Sequence, residues 1–83
     1  MTVEEFIFLE EWQKAKLFAE GTYIGVRQER TFDIELHRVE RFYVEEWHDF
    51  EKNESIGFRP MYFFRRFDLY WENVSLDDIQ DLL

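Results

Sequence analysis

Few side chains in this sequence are equipped for chemistry, and their spacing decides how much they can do. His37 and His48 are the only histidines, and each follows a glutamate by two residues, Glu35 and Glu46. In a strand, residues i and i+2 share a face. Each pair therefore sets a carboxylate beside an imidazole, a combination that metal sites use. In a hairpin turning near residue 40, His37 pairs near Tyr43 while His48 lies far along the strand, so the two pairs do not converge. They read as exposed strand residues, and no metal is expected. Adjacent acids occur at Glu4–Glu5, Glu10–Glu11, Glu45–Glu46 and Asp77–Asp78. General acid–base work needs a carboxyl held in a cleft with a shifted pKa, whereas neighbouring acids on regular elements face solvent. Ser55 and Ser75 are the only serines, and Ser75 is better explained as a helix cap. Gly21, Gly25 and Gly57 are too scattered for a phosphate-binding loop. The expectation is a non-enzyme with no catalytic residue and no cofactor.

Arg65–Arg66 stand amid Tyr62, Phe63, Phe64 and Phe67, superficially like the basic-aromatic platforms that bind single strands. Such platforms need a positive field, and the chain carries a formal net charge of -9. Like charge repels phosphate, so no direct nucleic acid and no anionic membrane surface is expected as a partner. The two arginines are instead expected to pair with acids or to lay their stems over apolar surface. A basic partner is electrostatically open, although the same charge also serves solubility.

The elements that position these residues follow from periodicity. Residues 3–20 read as one helix, opened by the capping box Thr2-x-x-Glu5 and closed by Gly21 just past its end, where positive φ is wanted. Its apolar residues form two sectors. One holds Phe8, Leu9, Trp12, Ala15 and Ala19; the other holds Val3, Phe6, Ile7, Leu17 and Phe18. A surface helix normally has one stripe, so the second sector meets either the C-terminal segment or another subunit.

Period-two alternation then marks strands. Over residues 22–29, Ile24 and Val26 oppose Tyr23 and Arg27. Over 31–37, Phe32, Ile34 and Leu36 oppose Asp33, Glu35 and His37. Over 41–48, Phe42 and Val44 oppose Tyr43, Glu45 and Trp47. The connections near Arg30 and near residues 39–41 are hairpin-short without an Asn-Gly signal. Residues 49–55 read as a polar loop, and 56–59 as a possible fourth strand. Over 60–72, Pro60 as a first helical residue favours helix, while the aromatic enrichment favours strand. Ser75 opens a last short helix, with Asp78 at its third position and Val74 placed to staple against Ile79.

Composition bounds the rest. The chain has 83 residues, one domain's worth, and 20% of them are aromatic. That much aromatic bulk argues against disorder and exceeds what a small fold hides easily. Cysteine is absent, which excludes disulfides and thiolate sites. The opening MTVEEFIFLEE is acidic where a secretory leader is basic, and no apolar run exceeds four residues, too short to span a membrane. A cytoplasmic location is expected.

The order GTYIGVRQER, FDIELHRVERFYVEEWHD, an aromatic stretch and VSLDDIQDLL, over about residues 20–80, resembles a loose group of small uncharacterised bacterial α+β proteins. Their pattern runs helix, Gly-Thr-Tyr strand, an Arg-containing strand end, a Phe-Tyr-Val-Glu strand and a short acidic C-terminal segment. The chain departs from it at Glu46, where the pattern has an apolar residue. The resemblance implies the fold and carries no activity.

The fold expected is therefore α+β over a single domain, residues 1–83: an N-terminal helix packed on a three- to four-stranded antiparallel meander, with short C-terminal helical segments. The function expected is protein–protein interaction or self-association, possible dimers included. Trp47, Tyr43 and Tyr23 are placed on the sheet face opposite Phe32, Ile34 and Leu36, beside Glu45 and Arg27, unless another element covers them. Trp, Tyr and Arg are the usual interface anchors. With Phe8 and Trp12 on the helix, these make the interface candidates. An acidic inhibitor that imitates nucleic acid on a DNA- or RNA-binding protein is an alternative, as is a small ligand-binding protein.

Overall fold

Two short helices rather than one open the chain in the computed structural model, which describes residues 1–62. α1 spans Val3–Ile7 and α2 spans Glu11–Glu20. The capping box expected at Thr2 is present: its Oγ1 accepts from the Glu5 amide at 3.1 Å, and Glu5 Oε1 accepts from the Thr2 amide at 3.0 Å. The helix expected over 3–20 breaks because Glu10 is extended (φ -71, ψ 157) and starts a helix of its own. The Glu10 amide donates to Gln13 Oε1 at 2.9 Å, which satisfies a group the continuous helix would have used.

Of the two apolar sectors, Val3, Phe6 and Phe18 are buried, whereas Phe8, Trp12, Ala15 and Ala19 are exposed. Gly21 follows α2 but does not adopt positive φ; it is extended, at φ -74 and ψ -179. Glycine is needed there for closeness instead: a Cβ would stand 2.6 Å from the Arg38 carbonyl oxygen.

Four strands follow: β1 Thr22–Glu29, β2 Phe32–Val39, β3 Phe42–Asp49 and β4 Glu54–Met61. They form one antiparallel sheet in the order β1-β2-β3-β4. The α+β class and the meander are thus as the alternation implies. The first two turns, Arg30–Thr31 and Glu40–Arg41, are two residues long. Arg30 and Glu40 take φ of 55 and 53, left-handed values met without glycine. The third turn is held by Asp49, whose Oδ1 accepts from the Glu51 and Lys52 amides at 3.0 and 3.2 Å.

The fourth strand reaches further than residues 56–59. Pro60 is not the start of a helix; it sits in β4 opposite Val44. Proline has no amide hydrogen to donate, and β4, the last strand of the sheet among the described residues, tolerates that as an edge strand does. The remainder of the 60–72 stretch beyond Tyr62, the Arg65–Arg66 pair and the expected helix from Ser75 lie outside the described residues.

The helices cover the sheet face that carries His37, Val39, Phe42, Val44 and Phe58. Val3, Phe6, Phe18, Val39, Phe42 and Val44 form its core, with Leu9, Leu17 and Phe58 packed against them. Phe6 meets Phe42 edge-on at 5.7 Å, and Phe18 meets Phe58 at 5.3 Å. Each side chain removed from water here contributes about 2 kcal/mol. Ile34 and Leu36 are fully buried on the opposite face. No helix among the described residues is long and apolar enough to cross a membrane.

Candidate functional site

The two-residue turn at Glu40–Arg41 sets the geometry of the sheet. It pairs Val39 with Phe42, and so Leu36 with Glu45 and Ile34 with Trp47. Residues paired across an antiparallel ladder share a face. Tyr43, Glu45 and Trp47 therefore lie on the same face as Ile34 and Leu36, not opposite it as alternation within each strand suggests. Arg27 joins them, since it pairs with Ile34. Tyr23 does not. A bulge between Tyr23 and Gly25 shifts the register of β1, so that Tyr23 pairs with His37 on the helix-covered face.

On the Ile34 face the candidates make a cluster. Glu45 is only 2% exposed. Arg27 Nη2 donates to its Oε2 at 3.4 Å, and Trp47 Nε1 donates to its Oε1 at 3.4 Å. The Arg27 guanidinium lies over the Trp47 ring, 5.5 Å from its centroid, and also pairs with Glu29. Such stacking adds to the ion pair because the ring face is electron-rich. Phe32 meets Trp47 edge-on at 5.4 Å. An open cleft of about 420 Å³ adjoins Trp47 and is lined among the described residues by Ile56, Gly57, Phe58, Arg59 and Glu11.

On the helix-covered face, His37 is buried. A carbonyl can only accept, so Nδ1 carries the hydrogen and donates to the Phe18 carbonyl oxygen at 2.6 Å. Nε2 stands 2.6 Å from Glu35 Oε2. The imidazole stacks on the Phe18 ring at 3.7 Å, with Tyr23 edge-on at 5.7 Å. Both ring nitrogens are thus engaged within the fold, and the pair expected to be exposed is an anchor for the end of α2. His48 is separate, opposite Asp33 and Ser55. Among the described residues no three metal-ligating side chains gather.

The remaining candidates, Phe8 and Trp12, lie at the junction of α1 and α2. Phe8 is 87% exposed, Trp12 63% and Ile7 51%. Trp12 Nε1 donates to Glu10 Oε2 at 2.7 Å, which fixes the indole against the helix start. Trp12 also borders a groove of about 280 Å³, lined by Met1, Leu9 and Leu17 with Gln13, Lys16 and Glu20. Ile7 shares a wheel sector with Val3 and Phe6, but α1 buries Val3 and Phe6 and leaves Ile7 exposed. Nearby, Tyr62 donates its hydroxyl to Glu4 Oε2 at 2.9 Å and ties the end of β4 to α1. The Glu4 carboxyl is held below its ordinary value, first by a hydrogen bond from its own backbone amide and then by Tyr62. The Tyr62 phenol is raised, first by that bond to Glu4 and next by burial.

No protein-family model, no curated protein and no solved structure matches the chain.

Proposed function

We propose that this chain is a non-enzymatic protein–protein interaction module of the cytoplasm, docking through the junction of α1 and α2. The observation that carries the reading is the exposure of Phe8, Trp12 and Ile7 together over six residues of chain. Isolated exposed apolar residues are ordinary, whereas a group of large ones marks a binding surface. Phe8 just past α1 and Trp12 in the first turn of α2 sit at helices opened by capping boxes, so they lose little freedom on binding, which suits them as anchors. The Arg27–Glu45–Trp47 cluster is a poorer docking point, because its carboxylate is already buried and bonded within the fold.

The test compares the native chain with a Phe8→Ser, Trp12→Ser double variant. Capture from a native cell extract and light scattering at rising concentration are run on both. The reading expects a bound protein, or a self-associated species, that the double variant loses. It fails if the native chain is monomeric throughout and retains nothing that the variant does not. The cleft beside Trp47 favours a second reading, a small-ligand binder, since its volume lies in the range of ligand sites. Ligand-induced change confined to the Trp47 and Phe58 resonances would support it.

A further inference from the structure

Resting on that reading, we infer that the α1–α2 junction takes a basic amphipathic segment of a different protein, its apolar side chains meeting Phe8, Trp12 and the groove at Leu9 and Leu17, its lysines or arginines meeting the surrounding glutamates. The argument is charge complementarity around an apolar centre. Residues 1–13 contain four carboxylates, Glu4, Glu5, Glu10 and Glu11, and no lysine or arginine. All four are exposed. The terminal amine nearby is spoken for by Glu40 at 2.7 Å, and Lys14 pairs with Glu11 at 3.3 Å. Lys16 is the one other cation among the described residues lining the groove and has Glu20 on the same groove, so acids outnumber bases around the apolar centre. A second copy would bring the same four carboxylates against themselves, since a two-fold interface pairs a patch with its own image. Like charges facing each other across an interface disfavour that arrangement. A segment bearing positive charge on an apolar frame meets the same surface without this cost. It gains in encounter rate from the field of a chain with net charge -9.

The experiment uses the full chain and two labelled helical peptides of matched length and leucine content, one with lysine and one with glutamate at the polar positions. Binding is followed by anisotropy, and the contact is mapped by amide shifts. The lysine peptide is expected to bind, shifting residues 4–17, and the glutamate peptide is not. Phe8→Ser with Trp12→Ser weakens the lysine peptide by about tenfold or more. Glu4→Gln with Glu11→Gln weakens it by about threefold and lessens its salt dependence. All these side chains are exposed, and the amide spectra confirm that each variant keeps its fold. If the lysine peptide binds the Phe8, Trp12 variant unchanged, contact is by charge alone and the inference is overturned. If both peptides bind equally and both are lost in that variant, the surface stands but its basic partner does not. If neither binds and the chain dimerises through Trp12, a second copy is the occupant. If neither binds and the chain is monomeric, the inference falls, and the reading beneath it is decided separately by the capture comparison.

Discussion

Adjacent strands carry the same local spacing, a glutamate followed two residues later by a ring with an N–H: Glu35-x-His37 in β2 and Glu45-x-Trp47 in β3. The two pairs lie on opposite faces of the sheet and do different work. Glu35 is partly open, its side chain 42% exposed, and His37 reaches past it to the last turn of α2. Glu45 is closed in and holds Arg27 of β1 as well as Trp47. The contrast teaches that an i, i+2 motif has no fixed role. What the neighbouring element brings, a helix carbonyl or a guanidinium, decides whether the pair fastens two layers or stitches three strands within one.

Several substitutions break or sharpen this contrast. The largest effect is expected at the closed pair. Glu45→Ala removes the buried acceptor shared by Arg27 and Trp47, leaving Arg27 its pair with Glu29, and chemical denaturation should show a loss of about 3 kcal/mol; a loss no greater than that of Glu35→Ala would erase the distinction. Next comes Gly21→Ala, which drives a methyl into the Arg38 carbonyl beside the His37 anchor. Overpacking against backbone should cost about 2 kcal/mol in the same measurement. His37→Phe keeps the stack on Phe18 but removes both hydrogen bonds, for about 1 kcal/mol. It should speed amide exchange at the end of α2 while leaving Trp47 fluorescence unchanged.

The smallest effect is at Tyr62→Phe, whose consequence is a change of pH profile. Glu4 is depressed, so its contribution is present above the ordinary carboxylate range and lost as pH falls through the depressed value. Tyr62 is raised, so its contribution is present below the ordinary phenol range and lost as pH rises through the raised value. The variant should move the Glu4 titration upward in carboxyl-detected spectra and flatten the alkaline limb of stability. An unmoved Glu4 titration would show that its own backbone amide alone sets the value.

The strands were legible because alternation in Phe32–His37 and Phe42–Trp47 is a local property. Which alternating set of one strand shares a face with which set of the next is not local. It depends on whether the turn at Glu40–Arg41 holds an even or odd number of residues, and one residue either way exchanges every partner. Tyr23 differs for the same reason at smaller scale, since the bulge at Ile24 shifts the register; Gly25 within the strand is its residue-type signal. The break at Glu10 had one, a side-chain acceptor at Gln13 three positions on, but glutamate is not among the usual cap residues. Pro60 satisfies a helix start and an edge strand equally, and only the pairing with Val44 separates them. Of the candidate site, Arg27, Glu45 and Trp47 came together as neighbours. Phe8 and Trp12 stay outside because the helices, broken at Glu10, bury Val3, Phe6 and Phe18 with Leu9 and Leu17 beside them, a set that follows neither sector of a single wheel.

The up-and-down order of the sheet bears on how the chain assembles during synthesis. Each of β2, β3 and β4 lies beside the strand made just before it, across turns of two, two and four residues. A growing chain can therefore zip its hairpins one after another, each closing a short loop at little entropic expense. Among the described residues no strand has to wait for a distant mate, and none must be slotted later between two that have already met.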